Sequence, residues 1–133
     1  MCSRGAVACR LSAGGILGLG RNFVAEGMRM ASSRFIYTWE FTAAPGKVAE
    51  FQEVYGAEGA WVKLFRRAPG YLRSELFQDR ATPERFITVD HWESEEAWRA
   101  FRERFRHEYE DLDVLCEQVT VKEREIGRFQ STD

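Results

Sequence analysis

The sequence has few of the residues that bind metals or form disulfide bonds. Its three cysteines, Cys2, Cys9 and Cys116, are odd in number and lack CxxC spacing, and there are only two histidines. This pattern argues against a disulfide framework and predicts no metal site. Cys116 is expected to pack as a small, buried apolar side chain.

Long hydrophobic runs and an excess of positive charge are also missing. The longest apolar stretch, residues 13–19, is far shorter than the roughly 20 residues that span a membrane. The whole chain has a net charge of −2, and residues 1–32 carry four Arg and one Glu (+3), so residues 33–133 carry −5. We therefore expect a cytoplasmic protein that binds neither membrane nor nucleic acid.

Residues 1–33 differ in composition from the rest of the chain. They are rich in Gly, Ala, Ser and Arg, and Phe23 is their only aromatic residue, whereas 17 of the 18 aromatics lie from Phe35 onward. Two interpretations remain open. The segment is either an Arg-rich targeting peptide, or a stretch that is disordered or precedes the true start at Met28 or Met30. We expect a tail at 1–33, one domain at 34–129 and a short C-terminal tail at 130–133.

Hydrophobic periodicity predicts the element order β-α-β-β-α-β. Strands are predicted at residues 35–42, 71–78, 85–92 and 119–129, and helices at 47–55 and from Ser94 onward, each followed by a shorter helical piece, at 61–65 and 111–117. The second long helix should bury a stripe formed by Trp98, Phe101 and Phe105. Its charged residues, Arg99, Arg102, Glu103 and Arg106, should lie on the opposite side.

This order predicts an α+β, ferredoxin-like βαββαβ fold, with a four-stranded antiparallel sheet and the helices on one face. The first strand is aromatic on one side and carries Ile36 on the other, so both faces of the sheet need cover. A chain of this length has no third layer to supply it. We therefore expect a homodimer in which a second copy packs sheet to sheet.

The ordered motifs resemble those of the antibiotic-biosynthesis monooxygenase family of dimeric α+β barrels. They are Trp39, Glu40 and Phe41, Pro45 and Gly46, Phe51, Pro69, Gly70 and Tyr71, Leu76, the run from Asp90 to Ser94, Ala97, Trp98 and Phe101. The resemblance covers residues 35–129. It implies a small cofactor-independent monooxygenase that acts on a planar aromatic or quinol-type substrate and needs no cofactor.

The sequence departs from that family in one residue type. The family's cofactor-independent oxygenases and haem degraders use a pocket asparagine, whereas the only one here is Asn22, in the tail. Trp98 and His107 imitate the Trp–His pair of haem degraders, but nine residues separate them, which points them in opposed directions on a straight helix. Two functions stay open, a monooxygenase and a non-catalytic dimeric barrel that binds a small hydrophobic ligand.

Two residues are candidates for catalysis. His91, near the end of the third strand, is expected to act as a general base, unless it caps a loop or faces solvent. Arg73 should share one face of the second strand with Tyr71, Glu75 and Phe77. There it is expected to stabilise an anionic or phenolate-like oxygen, unless it only forms an ion pair with Glu75.

Three aromatic residues are candidates for substrate binding. Tyr37, Trp39 and Trp98 have the flat side chains that stack on a planar ligand, and Trp98 is placed to line a pocket between helix and sheet. The alternative for Trp98 is packing in the core, and that for Tyr37 and Trp39 is packing in the core or at the dimer interface.

Overall fold

The computed structural model describes residues 33–132. These residues form four strands and four helices, numbered here along the chain. The strands are β1 (Phe35–Ala43), β2 (Tyr71–Gln78), β3 (Arg85–Trp92) and β4 (Thr120–Gln130), and the helices are α1 (Val48–Tyr55), α2 (Ala60–Phe65), α3 (Glu95–Arg104) and α4 (Arg106–Cys116). A pair of helices therefore occupies each helical place in the predicted order.

The predictions about residues 1–32, both the disordered tail and the alternative start residues, lie outside the described part of the chain. Within the described part, none of the helices has the length and apolar character needed to cross a membrane.

One antiparallel sheet joins the four strands in the order β2-β3-β1-β4. The central strand β1 pairs with β3 on one side and with β4 on the other, so that Tyr37 lies between Asp90 and Arg128. This order and the element sequence confirm the predicted ferredoxin-like βαββαβ fold with a four-stranded antiparallel sheet.

The alternation of side chains along β1 separates two faces of the sheet. The aromatic residues Phe35, Tyr37, Trp39 and Phe41 point toward the helices and are at most 7% exposed. We call this side the helix-covered face. The residues between them, such as Ile36 and Glu40, point to the opposite side, which none of the four helices in residues 33–132 covers. We call this side the helix-free face.

Aromatic rings fill the space between the helix-covered face and the helices. The Trp98 ring of α3 lies 5.4 Å from that of Phe35 and 5.0 Å from that of Tyr37. Phe51 of α1 stacks on Phe86 of β3 at 4.6 Å. Because burying each large apolar side chain contributes about 1.5–3 kcal/mol, these contacts fix α1 and α3 against the sheet.

The second helical segment is interrupted at Phe105. This residue has φ −108° and ψ 32°, outside the helical range, so α3 ends at Arg104 and α4 begins at Arg106. The helical piece predicted at 111–117 therefore begins earlier and is longer than expected. Because the helix is broken, the straight-helix argument about Trp98 and His107 does not apply.

The predicted stripe on this segment is buried, whereas one predicted surface residue is not on the surface. Trp98, Phe101 and Phe105 are at most 6% exposed, as expected. Arg102 is also only 6% exposed, and its guanidinium lies 4.1 Å from the centroid of the Tyr109 ring. Arg102 is therefore covered by Tyr109 of α4 instead of facing solvent.

A bulge at the start of β2 changes which residues share a face. Tyr71 pairs with Trp92 and Arg73 pairs with His91, so Leu72 is an extra residue. Tyr71 therefore packs toward the helices, whereas Arg73 points to the helix-free face. The prediction that these two side chains lie on one face is wrong, because the bulge breaks the period of two.

The junction between β2 and α3 depends on close packing. Gly70 has φ +92°, and a Cβ atom there would lie 2.6 Å from the Cβ of Ala97, so the position needs glycine. Ser94 caps α3 as predicted, because its Oγ accepts a hydrogen bond from the Ala97 amide at 3.1 Å. Glu95 and Glu96 occupy the first turn, where the helix dipole favours acids.

Candidate functional site

His91 and Arg73 both lie on the helix-free face, where they contact the same carboxylate. His91 Nε2 is 2.9 Å from Glu75 Oε1, and Arg73 Nη2 is 3.7 Å from Glu75 Oε2. The hydrogen bond from His91, with the nearby charge of Arg73, holds the pKa of Glu75 below its ordinary value. Both predicted catalytic residues thus contact Glu75, His91 by a hydrogen bond and Arg73 by an ion pair.

A second ion-pair group lies further along the same face. Glu40 of β1 accepts a hydrogen bond from Arg85 Nε at 2.6 Å and one from Arg124 Nη2 at 2.5 Å. Arg85 also donates to Asp79 at 2.7 Å. The hydrogen bond from Arg85 lowers the pKa of Glu40 most, and the hydrogen bond from Arg124 lowers it further. The charged form of Glu40 is therefore stabilised.

The three predicted substrate-binding residues lie together on the helix-covered face. The Tyr37 ring meets those of Trp39 and Trp98 nearly edge to face, with centroid distances of 6.0 and 5.0 Å. All three side chains are at most 3% exposed. They form a buried aromatic group, which we call the aromatic wall.

Arg128 of β4 places a positive charge against the aromatic wall. Its guanidinium carbon is 5.3 Å from the centroid of the Tyr37 ring and 5.1 Å from that of the Trp98 ring. Its Nε donates to Glu125 Oε2 at 3.1 Å. The side chains of Arg128 and Glu125 are 20% and 16% exposed, so this ion pair is largely shielded from water.

Several polar atoms around the aromatic wall are buried without a hydrogen-bond partner among residues 33–132. They are Trp39 Nε1, Thr88 Oγ1, Glu125 Oε1 and Arg128 Nη2. Thr88 and Glu125 flank Trp39 across the sheet, and Arg128 lies in the next row beside Tyr37. Because an unsatisfied buried polar atom costs about 1–3 kcal/mol, a group of four on one face needs an explanation.

Asp90 of β3 adds a buried carboxylate to the same face. It is 2% exposed and pairs across the sheet with Tyr37 of β1 and Ser74 of β2. Ser74 Oγ donates to Asp90 Oδ1 at 2.7 Å and accepts from the Tyr71 hydroxyl at 2.8 Å. We call Thr88, Asp90, Glu125 and Arg128 the polar cluster.

The predicted site is therefore divided between the two faces of the sheet. His91 and Arg73 lie on one side of it, and Tyr37, Trp39 and Trp98 lie on the other. His91 is the residue after Asp90 in a strand, and consecutive side chains of a strand point to opposite faces. One chain does not bring His91 to a ligand that contacts the aromatic wall.

Sequence reasoning missed the polar cluster, although one signal was present. Trp39 pairs with Glu125, but Thr38 pairs with Gly127, so Ile126 is an extra residue in β4. An isolated glycine in a strand is a typical mark of such a bulge. The bulge places Glu125 and Arg128 on the same face despite their separation of three positions.

Other parts of the described chain offer less chemistry. A groove of about 250 Å³ beside α3 is lined mainly by Ala68, Ala97, Phe101 and Phe105 and has mostly apolar walls. No group of three or more metal-ligating side chains occurs within residues 33–132. Cys116 is 1% exposed, as predicted, and accepts a hydrogen bond from Trp61 Nε1 at 3.2 Å.

The sheet order and the helix-covered face define a small ferredoxin-like α+β domain. The family model described as "Antibiotic biosynthesis monooxygenase" matches residues 34–108, more than half of the chain. The chain therefore belongs to the antibiotic biosynthesis monooxygenase family, whose fold is the dimeric α+β barrel and whose members are typically dimeric.

Solved structures share this fold at low sequence identity. SnoaB, a cofactor-independent oxygenase from Streptomyces nogalater, is 19% identical with a TM-score of 0.63, over 76% of this chain and 95% of that one. A protein from Pseudomonas aeruginosa is 18% identical (TM-score 0.55; 77% and 96% covered), and one from Shewanella oneidensis is 15% identical (0.53; 75% and 92%). Comparison with curated proteins gives no significant match.

Proposed function

We propose that this protein is a cofactor-independent monooxygenase that binds a planar aromatic or quinol-type substrate on the helix-covered face. The observation that carries the proposal is the set of buried polar atoms without partners beside the aromatic wall. Trp39 Nε1, Thr88 Oγ1 and Arg128 Nη2 offer donors to a substrate oxygen. Flat rings supply the stacking surface that a planar molecule needs.

The proposed reaction needs neither metal nor flavin. An electron-rich substrate such as an anthrone loses a proton from carbon, and the resulting carbanion reacts directly with O2. One oxygen atom remains on that carbon as a carbonyl, and the other leaves as water with the two hydrogens of the methylene group. Arg128 stabilises the charge that develops on the substrate oxygen, within a site shielded from water.

The proposal changes the role assigned to one predicted residue. The oxyanion role predicted for Arg73 is given instead to Arg128, which contacts the rings of Tyr37 and Trp98. His91 and Arg73 stay on the helix-free face with Glu75, where they would act only on a ligand held on that face. Tyr37, Trp39 and Trp98 keep their predicted role as walls of the substrate site.

Oxygen uptake by the purified protein tests this function. A panel of quinols and anthrones is offered without metal or flavin, and wild type is compared with Arg128→Met and Arg124→Met. The second variant makes the same change in the same strand, but on the helix-free face. Loss of an oxyanion donor lowers kcat about 10²–10³-fold, so we expect this loss in Arg128→Met and near-normal turnover in Arg124→Met.

Each other outcome has a definite meaning. Full turnover by Arg128→Met would contradict the assignment of the substrate to the helix-covered face. Tight binding of the panel compounds without any oxygen uptake would instead support a non-catalytic barrel that binds a small hydrophobic ligand. The absence of Asn from the whole of residues 34–129 is the feature that favours this second function.

We also propose that two copies of the chain pack together through their helix-free faces. This face carries Ile36, Ile87, Val89, Phe77 and Phe129, and the two phenylalanines are each 52% exposed. Light scattering should give about twice the 15.4 kDa chain mass. Ile87→Asp puts a charge in the middle of the face and should give a folded monomer. A wild-type protein that is itself monomeric would refute the proposal.

A further inference from the structure

Asp90 is the most buried acidic side chain that the structure describes, at 2% exposure. It lies on the helix-covered face, one strand from Tyr37 and two strands from Arg128. A carboxylate is expensive to remove from water, and a purely structural position accepts an apolar residue more readily. Its place beside the aromatic wall therefore points to a chemical task.

We propose that Asp90 is the general base that removes the proton from the carbon of the substrate. The inference rests on the proposed function, because it concerns the same site and the same class of substrate. It replaces His91, whose side chain is bound to Glu75 on the other face of the sheet. Carboxylates abstract protons next to carbonyl groups in known enzymes, so the residue type suits the reaction.

The distance between Asp90 and Arg128 suits a substrate ring that loses a proton at one edge and accumulates negative charge at the opposite edge. Their strands lie on either side of β1, which separates the two backbones by about 10 Å. Tyr37 lies between them in the same row. An anthrone held between the two side chains would thus present its C–H group to Asp90 and the opposite carbonyl oxygen to Arg128.

The steps balance with O2 as the only co-reactant. The C–H bond breaks, its proton moves to the Asp90 carboxylate, and the electron pair spreads onto the oxygen beside Arg128. The carbanion then bonds to O2 as a peroxide, to which Asp90 returns the proton. Loss of the second hydrogen from that carbon, with cleavage of the O–O bond, gives the carbonyl and one water.

Ser74 and Tyr71 are positioning residues for this base. The chain from the Tyr71 hydroxyl through Ser74 Oγ to Asp90 Oδ1 fixes the orientation of the carboxylate. Tyr71 and Ser74 are only half-buried, so this series of hydrogen bonds leads from the buried carboxylate toward the surface.

Hydrogen–deuterium exchange at the anthrone methylene, followed by NMR under nitrogen, tests the base apart from oxygenation. Asp90→Asn keeps the size of the side chain and should slow enzyme-dependent exchange at least 100-fold, while affinity for a hydroxyanthraquinone stays within about threefold. A structural role would weaken both. Asp113→Asn, which alters another buried aspartate on α4, should exchange at the wild-type rate.

Wild-type exchange rates in Asp90→Asn would overturn the inference while leaving the proposed function intact. If Asp90→Asn does not fold, Ser74→Ala tests the inference instead. We expect its exchange rate to fall about tenfold while its affinity for the hydroxyanthraquinone stays unchanged. An unchanged exchange rate would overturn the inference. Wild-type protein that exchanges through Asp90 but takes up no oxygen would support the base and refute the oxygenase. Wild-type protein that does neither would overturn both.

Discussion

Both faces of the sheet carry charged groups, but the hydrogen bonding of these groups differs between the faces. On the helix-free face, Glu40 bonds to Arg85 and Arg124, and Glu75 bonds to His91. On the helix-covered face, Arg128 and Glu125 make one bond to each other and still have buried atoms without partners among residues 33–132. Charged side chains that hydrogen-bond to each other need no ligand. Buried polar atoms that lack a hydrogen-bond partner are suited to bind one.

The largest expected difference between the faces is in stability. Phe41 on the helix-covered face is 0% exposed and Phe77 on the helix-free face is 52% exposed, so the same substitution compares the two. Phe41→Ala should lower the free energy of unfolding by about 3–5 kcal/mol, because it leaves a cavity in the core. Urea denaturation followed by circular dichroism measures this loss.

Phe77→Ala is the matched control. It should keep the native circular dichroism spectrum and make the melting temperature more dependent on protein concentration, because its cost falls on association between copies. A loss of unfolding free energy equal to that of Phe41→Ala would show that the helix-free face is part of the folding core. The contrast between the two faces would then be wrong.

A smaller effect is expected from pH. The pKa of Glu40 is lowered from its ordinary value of 4.5, so its stabilising contribution is present above that value and is lost as pH falls through the lower folded-state pKa. Glu40→Gln should therefore be less stable than wild type at neutral pH, by about 1 kcal/mol or less, and the difference should be smaller at about pH 3. Urea midpoints at the two pH values measure this difference.

Glu53→Gln, on the exposed surface of α1, is the control for this experiment. It should match wild type at both pH values. A stability difference for Glu40→Gln that persists unchanged in acid would mean that Glu40 contributes through packing rather than through its charge. Its ion pairs with Arg85 and Arg124 would then not stabilise the helix-free face.

Local patterns in the sequence predict most of the fold. The alternation along β1, the stripe of Trp98, Phe101 and Phe105, and the Ser94 cap each depend on nearby residues, so they can be recognised without tertiary information. The sequence also identifies the aromatic wall as a set of flat residues. Because each element can be recognised in this way, the order of the elements predicts the ferredoxin-like βαββαβ fold.

The arrangement of the site depends on features that interrupt those patterns. The bulge at Leu72 separates Tyr71 from Arg73, and the bulge at Ile126 brings Glu125 and Arg128 onto one face. Each extra residue reverses every side chain that follows it, and nothing in the residue type fixes its position. Charged residues in a strand also look like surface residues, although here they are largely buried.

The most direct test of the helix-covered site is the ¹⁵N spectrum of the tryptophan indole groups during titration with a hydroxyanthraquinone, which resembles the product and does not react. Trp39 Nε1 is buried without a partner within residues 33–132, whereas Trp61 Nε1 donates to Cys116. We predict that the Trp39 signal moves as the ligand binds and that the Trp61 signal does not. Movement of the His91 imidazole signals with an unchanged Trp39 signal would contradict the account.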